Sequence, residues 1–444
     1  MKKIVSLLLA VMMLMGLAGS ALAATEYDVT EPITIEWWHA HESQFDEYIN
    51  YMVTKFNTEN EYGITVVPVY KGSYTEIKEQ FVAADAAARE GAGTVPAICC
   101  CNTSDPAGFG AAGLCEVLDP YMEAFDYDVE DFGEGLVLST SYDEEQICLP
   151  YLISTQCMYY NKTAAEAEGI EMPKTLDEME AFLEKATIFN EDGTTARYGT
   201  VFGGWDYWYH EMLFKNNGVK IVTEDGKTDV NSEQSIAINT KIKEWIDKGY
   251  AYYAYGTGAS SNMRDLFVAG GAFSVFHTSS LYTTYTGKVA DKYAEEPEKA
   301  FEVGMAWLPG GYDHESFMSE VGGSAIFIPA SATQAEKNAA WQFMMFMTGA
   351  EINLYWADKT GYFPTRTSVK ALPEYQEYLE RKPAMADIIN NAAWINPRNQ
   401  NPAYDTCANL WRHALATIYN EGADVTETLN ALAIEIQETL DSAN

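Results

Sequence analysis

Positive charge is scarce in this chain. It carries 28 lysines and arginines against 65 aspartates and glutamates, for a formal net charge of −37, and only six histidines. Such a field repels polyphosphate backbones and anionic lipid surfaces, so no nucleic-acid or membrane-surface partner is expected. It also means that an anionic ligand would need a local positive spot. The sequence has no phosphate-cradling glycine loop, no dinucleotide fingerprint and no nucleophile elbow. Metal-binding spacing is missing as well. His210-Glu211 lacks the second histidine of a zinc-protease helix, and His39-Ala40-His41-Glu42 is read as splitting its histidines across a strand or turn. No metal or cofactor is expected. Cysteines number seven, an odd count, and Cys99-Cys100-Cys101 run consecutively through an apolar strand. Alternate strand residues face opposite ways, so these three read as small core side chains, and no obligatory disulfide framework is expected.

Beyond the N-terminus no apolar stretch is long enough to span a bilayer. The N-terminus itself has Lys2 and Lys3 before the apolar run Ile4 to Leu17, then Ala21-Leu22-Ala23, the pattern of a secretory signal over residues 1–23. No cysteine lies near that cleavage point, so a lipid anchor is not expected. A soluble, secreted protein in a periplasm or outside the cell fits best. At 444 residues, two lobes are the default.

The hydrophobic pattern alternates strands and helices. Ile33 to Trp38 and Ile64 to Val69 read as strands around a helix from Phe45 to Phe56. Ser73 and Glu76 form a capping box for the next helix. Pro96 to Cys101 reads as a third strand, after which Ser104 or Asp105 can cap a helix with Pro106 at its first position. This order predicts an α/β lobe with a largely parallel sheet. The middle repeats the style, with a second cap at Thr175 to Glu178 and a helix capped by Asn231. Glu224-Asp225-Gly226 reads as a hairpin turn, and a short helix from Asp265 runs through glycines into a strand ending near His277. Later, an apolar helix over Ala339 to Met347 precedes a short one over Ile352 to Ala357, expected to end with Gly361 in the left-handed conformation. Pro364 forbids a restart, which leaves Tyr362 on an extended crossing segment suited to a ligand-facing wall. A capped, strongly periodic helix from Asp424 closes the chain.

Trp205, Tyr207, Trp208 and Tyr209 lie close together, a grouping that suits a carbohydrate or polyol surface. It suits a secreted glycosidase working with two of the many carboxylates and a binding protein equally well.

Five segments, taken in order, point further: Val69-Tyr70-Lys71-Gly72-Ser73-Tyr74, Tyr159-Tyr160-Asn161-Lys162, Gly204-Trp205 with Trp208, Gly322-Gly323-Ser324, and Lys359 to Pro364. Over nearly the whole mature length the chain resembles the sugar-type (family 1) extracellular solute-binding proteins of ABC importers, and most of all the branch that binds sn-glycerol 3-phosphate. The resemblance implies a two-lobed flytrap fold, each lobe a mostly parallel sheet flanked by helices and joined by crossing hinge segments. The lobes are expected at residues 25–151 with 320–364 and at 152–319 with 365–444. It implies a ligand pocket of Tyr74, Ser154, Gly323, Tyr362 and Arg398 over an aromatic floor of Trp205 and Trp208. Arg398 is expected at the cleft edge, carrying little of the core. Two positions depart from the family. Thr103, with Asn102 beside it, stands where the branch has a glutamate, and His277-Thr278 stand where it has a serine pair. The implied function is capture of sn-glycerol 3-phosphate, a glycerophosphodiester or a mono- or oligosaccharide by a monomer. The ligand would be handed to membrane permease subunits with no chemistry performed on it. The alternatives are a secreted carbohydrate-active enzyme and a sensor subunit that presents ligand to a receptor.

Overall fold

The computed structural model describes residues 26–41, 43–310, 319–390 and 395–443. The expected signal segment lies outside them. No helix among the described residues is long and apolar enough to cross a membrane.

Among the described residues, ten strands form the main paths of two sheets. In chain order they are β1 (Ile33–His39), β2 (Ile64–Tyr70), β3 (Ile98–Asn102), β4 (Leu149–Ser154), β5 (Gln156–Asn161), β6 (Thr195–Gly203), β7 (Ala251–Ala254), β8 (Ala272–Thr278), β9 (Val303–Ala306) and β10 (Gly322–Phe327). The first sheet runs β2-β1-β3-β10-β4 and the second β7-β6-β8-β5-β9, with the short strand Ile188–Phe189 beside β6. Three strands of each sheet are parallel, the fourth is antiparallel, and the fifth pairs antiparallel to the fourth. Four of five therefore point the same way, the largely parallel arrangement expected. The odd strand in each sheet enters from the opposite lobe: β5 directly follows the first crossing, and β10 follows the return.

Each sheet buries its own apolar surface. Trp37, Ile77, Phe81, Ile98 and Tyr151 pack with Trp341, Phe343 and Met344 of the helix Gln334–Met347 around the first sheet. Around the second, Phe202, Phe273 and Phe276 pack with Trp411, Leu429 and Ile436 of the last two helices. All seven cysteines are buried free thiols. His39 and His41 share one side of their segment, and their rings stack at 5.7 Å. That corrects the expected split: β1 ends at His39, and the His41 N–H folds back to donate to the His39 Nδ1 at 3.3 Å.

Both halves of the Ser73–Glu76 capping box form, and Thr175 accepts from the Glu178 N–H. Other local readings shift. Ser232, not Asn231, caps the helix Glu233–Asp247, and Asn231 instead donates to Asn430. Asp105 precedes Pro106 but does not cap its helix. Its carboxylate accepts from the Asn102 N–H and from Lys78. The turn at Glu224–Gly226 is closed by Thr223 N–H to the Lys227 carbonyl without strands on either side. The helix expected from Asp265 already starts at Ala259 and runs to Val268.

Three segments cross between the lobes side by side. Thr155 joins β4 to β5, Ser319–Glu320 leads into β10, and Phe363 donates its N–H to the Ile153 carbonyl at 2.8 Å. Gln156, fully buried, accepts from the Glu320 N–H at 2.9 Å and the Ser319 hydroxyl at 2.6 Å. Gly361 does not take the expected left-handed cap conformation, and the helix Ala350–Lys359 ends at Thr360. A glycine is needed there for close approach, since a Cβ would sit 2.5 Å from the Ser280 carbonyl oxygen. Gly323 is constrained twice, by a φ of +104° and by the Leu152 carbonyl 2.0 Å from where a Cβ would lie. Neither the backbone angle nor the neighbouring strand can relax cheaply. Gly323→Ala should therefore lower unfolding stability by at least about 2 kcal/mol, read as a lower urea midpoint at unchanged slope.

Candidate functional site

The parallel strands of both sheets point their carboxyl ends at one cleft of about 470 Å³, where open α/β sheets place their ligands. Asn102 ends β3, Ser154 ends β4, His277 and Thr278 end β8, and Gly322 and Gly323 open the antiparallel β10 at the same level. Eight of the ten expected site residues line the cleft: Tyr74, Ser154, Trp208, His277, Thr278, Gly323, Tyr362 and Arg398. Thr103 does not. It is buried with its hydroxyl on the Val321 carbonyl, and Asn102 faces the cleft in its place. Trp205 also falls outside the lining and packs behind it, 5.0 Å from the Tyr209 ring and 5.3 Å from the His277 ring.

Tyr74 is the first residue of the capped helix Tyr74–Arg89, so the cap fixes where its phenol points. Burial, with Tyr362 close by, pushes that phenol well above its ordinary pKa and keeps it a neutral donor. Trp208 opens the helix Trp208–Lys215, and its ring lies over Gly322, where a Cβ would come within 2.3 Å of it. That contact explains the first glycine of the Gly322-Gly323 pair. The Trp208 indole N–H is buried without a partner among the described residues. Burial and then the nearby Arg264 lower His277 to about 3, so it is neutral at neutral pH. Its Nδ1 pairs with the Tyr285 hydroxyl at 2.9 Å, and accepting there leaves Nε2 as the donor.

Arg398 is 5% exposed, not a loosely held edge residue. Its guanidinium donates to Glu320 at 2.8 Å and to the Tyr207 hydroxyl at 2.9 Å. Glu320 is fully buried and also pairs with Lys215 at 2.7 Å. Burial opposes its charge, but Lys215 and Arg398 overcome it and hold the carboxyl below its usual range. Glu211 behaves oppositely: burial, then the charge of Glu320, raises it well above the usual carboxylate range. One of its oxygens accepts from the Tyr404 hydroxyl and the other has no partner, as suits a protonated acid. Arg398 thus belongs to a structural charge cluster, which the sequence could not reveal because Glu320 lies 78 residues away from it.

Arg264, Ser260, Ser261, Asp206 and Ser280 also line the cleft and are not among the residues the sequence points to, whereas Tyr209 belongs to its aromatic grouping. Gly256-Thr257-Gly258 followed by small polar residues was the available signal for an earlier helix start, which would have put Arg264 on a helix.

Two α/β lobes joined by adjacent crossings, with one polar, aromatic-walled cleft between their strand ends, define a small-molecule binding protein of the flytrap class. The chain belongs to the bacterial extracellular solute-binding protein family, whose profile matches residues 51–384. It is 26% identical over 402 residues to the sn-glycerol-3-phosphate-binding periplasmic protein UgpB of Pectobacterium atrosepticum, spanning 86% of this chain and 82% of that protein. UgpB of Mycobacterium tuberculosis, solved with glycerophosphocholine, superposes with a TM-score of 0.78 at 21% identity, over 93% of this chain and 99% of the other. The GacH receptor of Streptomyces glaucescens, solved unliganded and with acarbose, gives 0.75 at 20% identity over 93% and 99%. The expected two-lobed fold is borne out.

The buried pair makes stability depend on pH with a definite sign. Unfolded Glu211 ionises in the ordinary carboxylate range, while the folded group stays protonated well above it. Across that window the folded state holds the extra proton, so this group's contribution falls as pH rises. Glu211→Gln mimics the protonated acid and lacks this loss. Relative to the native chain, it should gain about 1 kcal/mol or more in urea unfolding between about pH 5 and about pH 8. A constant difference between the two proteins would show that Glu211 ionises normally.

Proposed function

We propose that the protein is the solute-capturing subunit of an ABC importer, holding sn-glycerol 3-phosphate or a related glycerophosphodiester between closing lobes and handing it unchanged to membrane permease subunits. The observation that carries this reading is the cleft lining. Tyr74 from one lobe and Trp208, His277 and Thr278 from the other converge with Ser154, Gly323 and Tyr362 of the crossings, and two arginines reach the same cleft in a chain of net charge −37. The named relatives bind a glycerol phosphate and a glycerophosphodiester. The hinge divides roughly residues 25–151 and 320–364 from 152–319 and 365–444, its first crossing at Thr155 just past β4, and the mature form is a secreted, unanchored monomer. Tyr74, Ser154, Gly323 and Tyr362 contact the ligand, with Trp208 as an aromatic wall. Trp205 supports that wall through Tyr209 and His277.

A second reading is a neutral sugar. Trp208 and Tyr209 offer ring surface with an unpartnered indole N–H, and GacH was solved with acarbose. Calorimetry and thermal shift with sn-glycerol 3-phosphate, glycerophosphocholine, glycerol and maltose separate the two. A phosphorylated compound should raise the melting temperature, stabilising the fold by about 2.7 kcal/mol at a hundredfold excess over Kd. It should also shrink the radius of gyration by scattering, as hinge closure requires, and be recovered unaltered. Tight binding of maltose alone sinks the phosphate reading, and turnover of any compound sinks the binding-protein reading.

A further inference from the structure

We infer that Arg264, not Arg398, is the cation that receives the negative charge of the ligand. The inference rests on reading the cleft as the site of a phosphorylated solute. The chain has seven arginines. Arg89, Arg197, Arg366, Arg381 and Arg398 are each in a salt bridge, with Asp85, Glu168, Asp131, Asp358 and Glu320 respectively. Arg412 donates towards Asn409 and His413 and lies over the Tyr255 ring. Arg264 has no ion pair and no hydrogen bond among the described residues, and its Nε is sealed from solvent without a partner. In a chain with more than twice as many acids as bases, a guanidinium in a binding cleft with no carboxylate on it is the exception.

The surroundings differ accordingly. Arg398 is salt-bridged to the ionised Glu320 with Asp206 in its neighbourhood, so its charge is already answered. The cleft lining that Arg264 joins is otherwise rich in hydroxyls: Ser260 and Ser261 from the first turn of its own helix, and Thr278 and Ser280, whose oxygens lie 2.9 Å apart. Asp206 is the one carboxylate in the cleft lining among the described residues, and it accepts from the Trp208 N–H. A guanidinium in one cleft with several hydroxyls suits the oxygens of a phosphate ester. The glycerol or head-group portion would then extend across the cleft towards Tyr74 and Tyr362. Arg264 thereby sets the charge specificity of the site, and Arg398 braces its wall.

The test is calorimetry on the full mature chain with sn-glycerol 3-phosphate, which is close to doubly charged at neutral pH, and glycerophosphocholine, whose phosphodiester carries one negative charge. Arg264→Ala and Arg264→Gln should weaken sn-glycerol 3-phosphate on the order of 100-fold and glycerophosphocholine on the order of tenfold, with Arg264→Lys recovering part of each loss. Arg398→Lys, which keeps a charge beside Glu320, should change the ratio between the two ligands little. A structural role for Arg264 would weaken both ligands equally, and that result overturns the inference. So does an Arg264→Gln protein that binds within about threefold of the native one, which leaves the phosphate reading intact. If the native chain binds maltose and neither phosphorylated compound, the reading of the cleft falls, and this inference falls with it.

Discussion

One buried carboxylate organises the middle of this molecule. Glu320 sits on the returning crossing, fully buried, where an unpaired charge would be strongly destabilising. Its oxygens take Lys215 from the helix that begins with Trp208 and Arg398 from the segment after Asn396. Its backbone N–H goes to Gln156, whose own amide donates to the Trp208 carbonyl at 3.0 Å. One residue thus fixes a crossing, the helix carrying an aromatic wall and the loop carrying an arginine. Glu211, on that same helix, is held protonated first by its burial and then by the negative charge already on Glu320.

The crossings are themselves built from close approach. The two sheets repeat one strand order, and each takes its antiparallel strand from chain arriving from the other lobe. Chain segments passing between lobes therefore run along the sheets rather than over them. Gly322, Gly323 and Gly361 all stand where another group occupies the space a Cβ would need: the Trp208 ring, the Leu152 carbonyl and the Ser279–Ser280 backbone. A ligand between the strand ends touches both lobes and these crossings together, which is how binding can be coupled to their relative position.

The fold was legible in the sequence because its signals are local. The Ser73–Glu76 box, the Thr175 cap, the period-two strands and the apolar stripe of the last helix each need only neighbouring residues. The site was legible where family resemblance supplied positions, and eight residues do converge on the cleft. It failed at single-residue resolution in loops. Thr103 and Asn102 lie one apart, and the pairing of β3 with β10 decides which of them faces the cleft. Asn231 and Ser232 exchange the capping role over the same distance. Long-range pairing was invisible: that Arg398 is tied to Glu320 while Arg264 is not depends on contacts far apart in sequence.

The acidic composition and the cationic cleft are compatible because they act over different distances. At physiological ionic strength the surface field decays over a Debye length of about 8 Å. An anion in bulk solvent therefore meets mild repulsion. Within the cleft it meets a guanidinium and hydroxyls, and Asp206 is the one carboxylate in the described lining. Excluding water strengthens those contacts, since a charge pair a few ångströms apart interacts several-fold more strongly at a protein dielectric than in water. The same reasoning separates the two arginines. Closing water away from Arg398 leaves it bonded to Glu320, whereas closing it away from Arg264 would strand a charge unless an anion came with it. Closure around an empty cleft is thereby disfavoured, and closure around a phosphorylated solute is favoured.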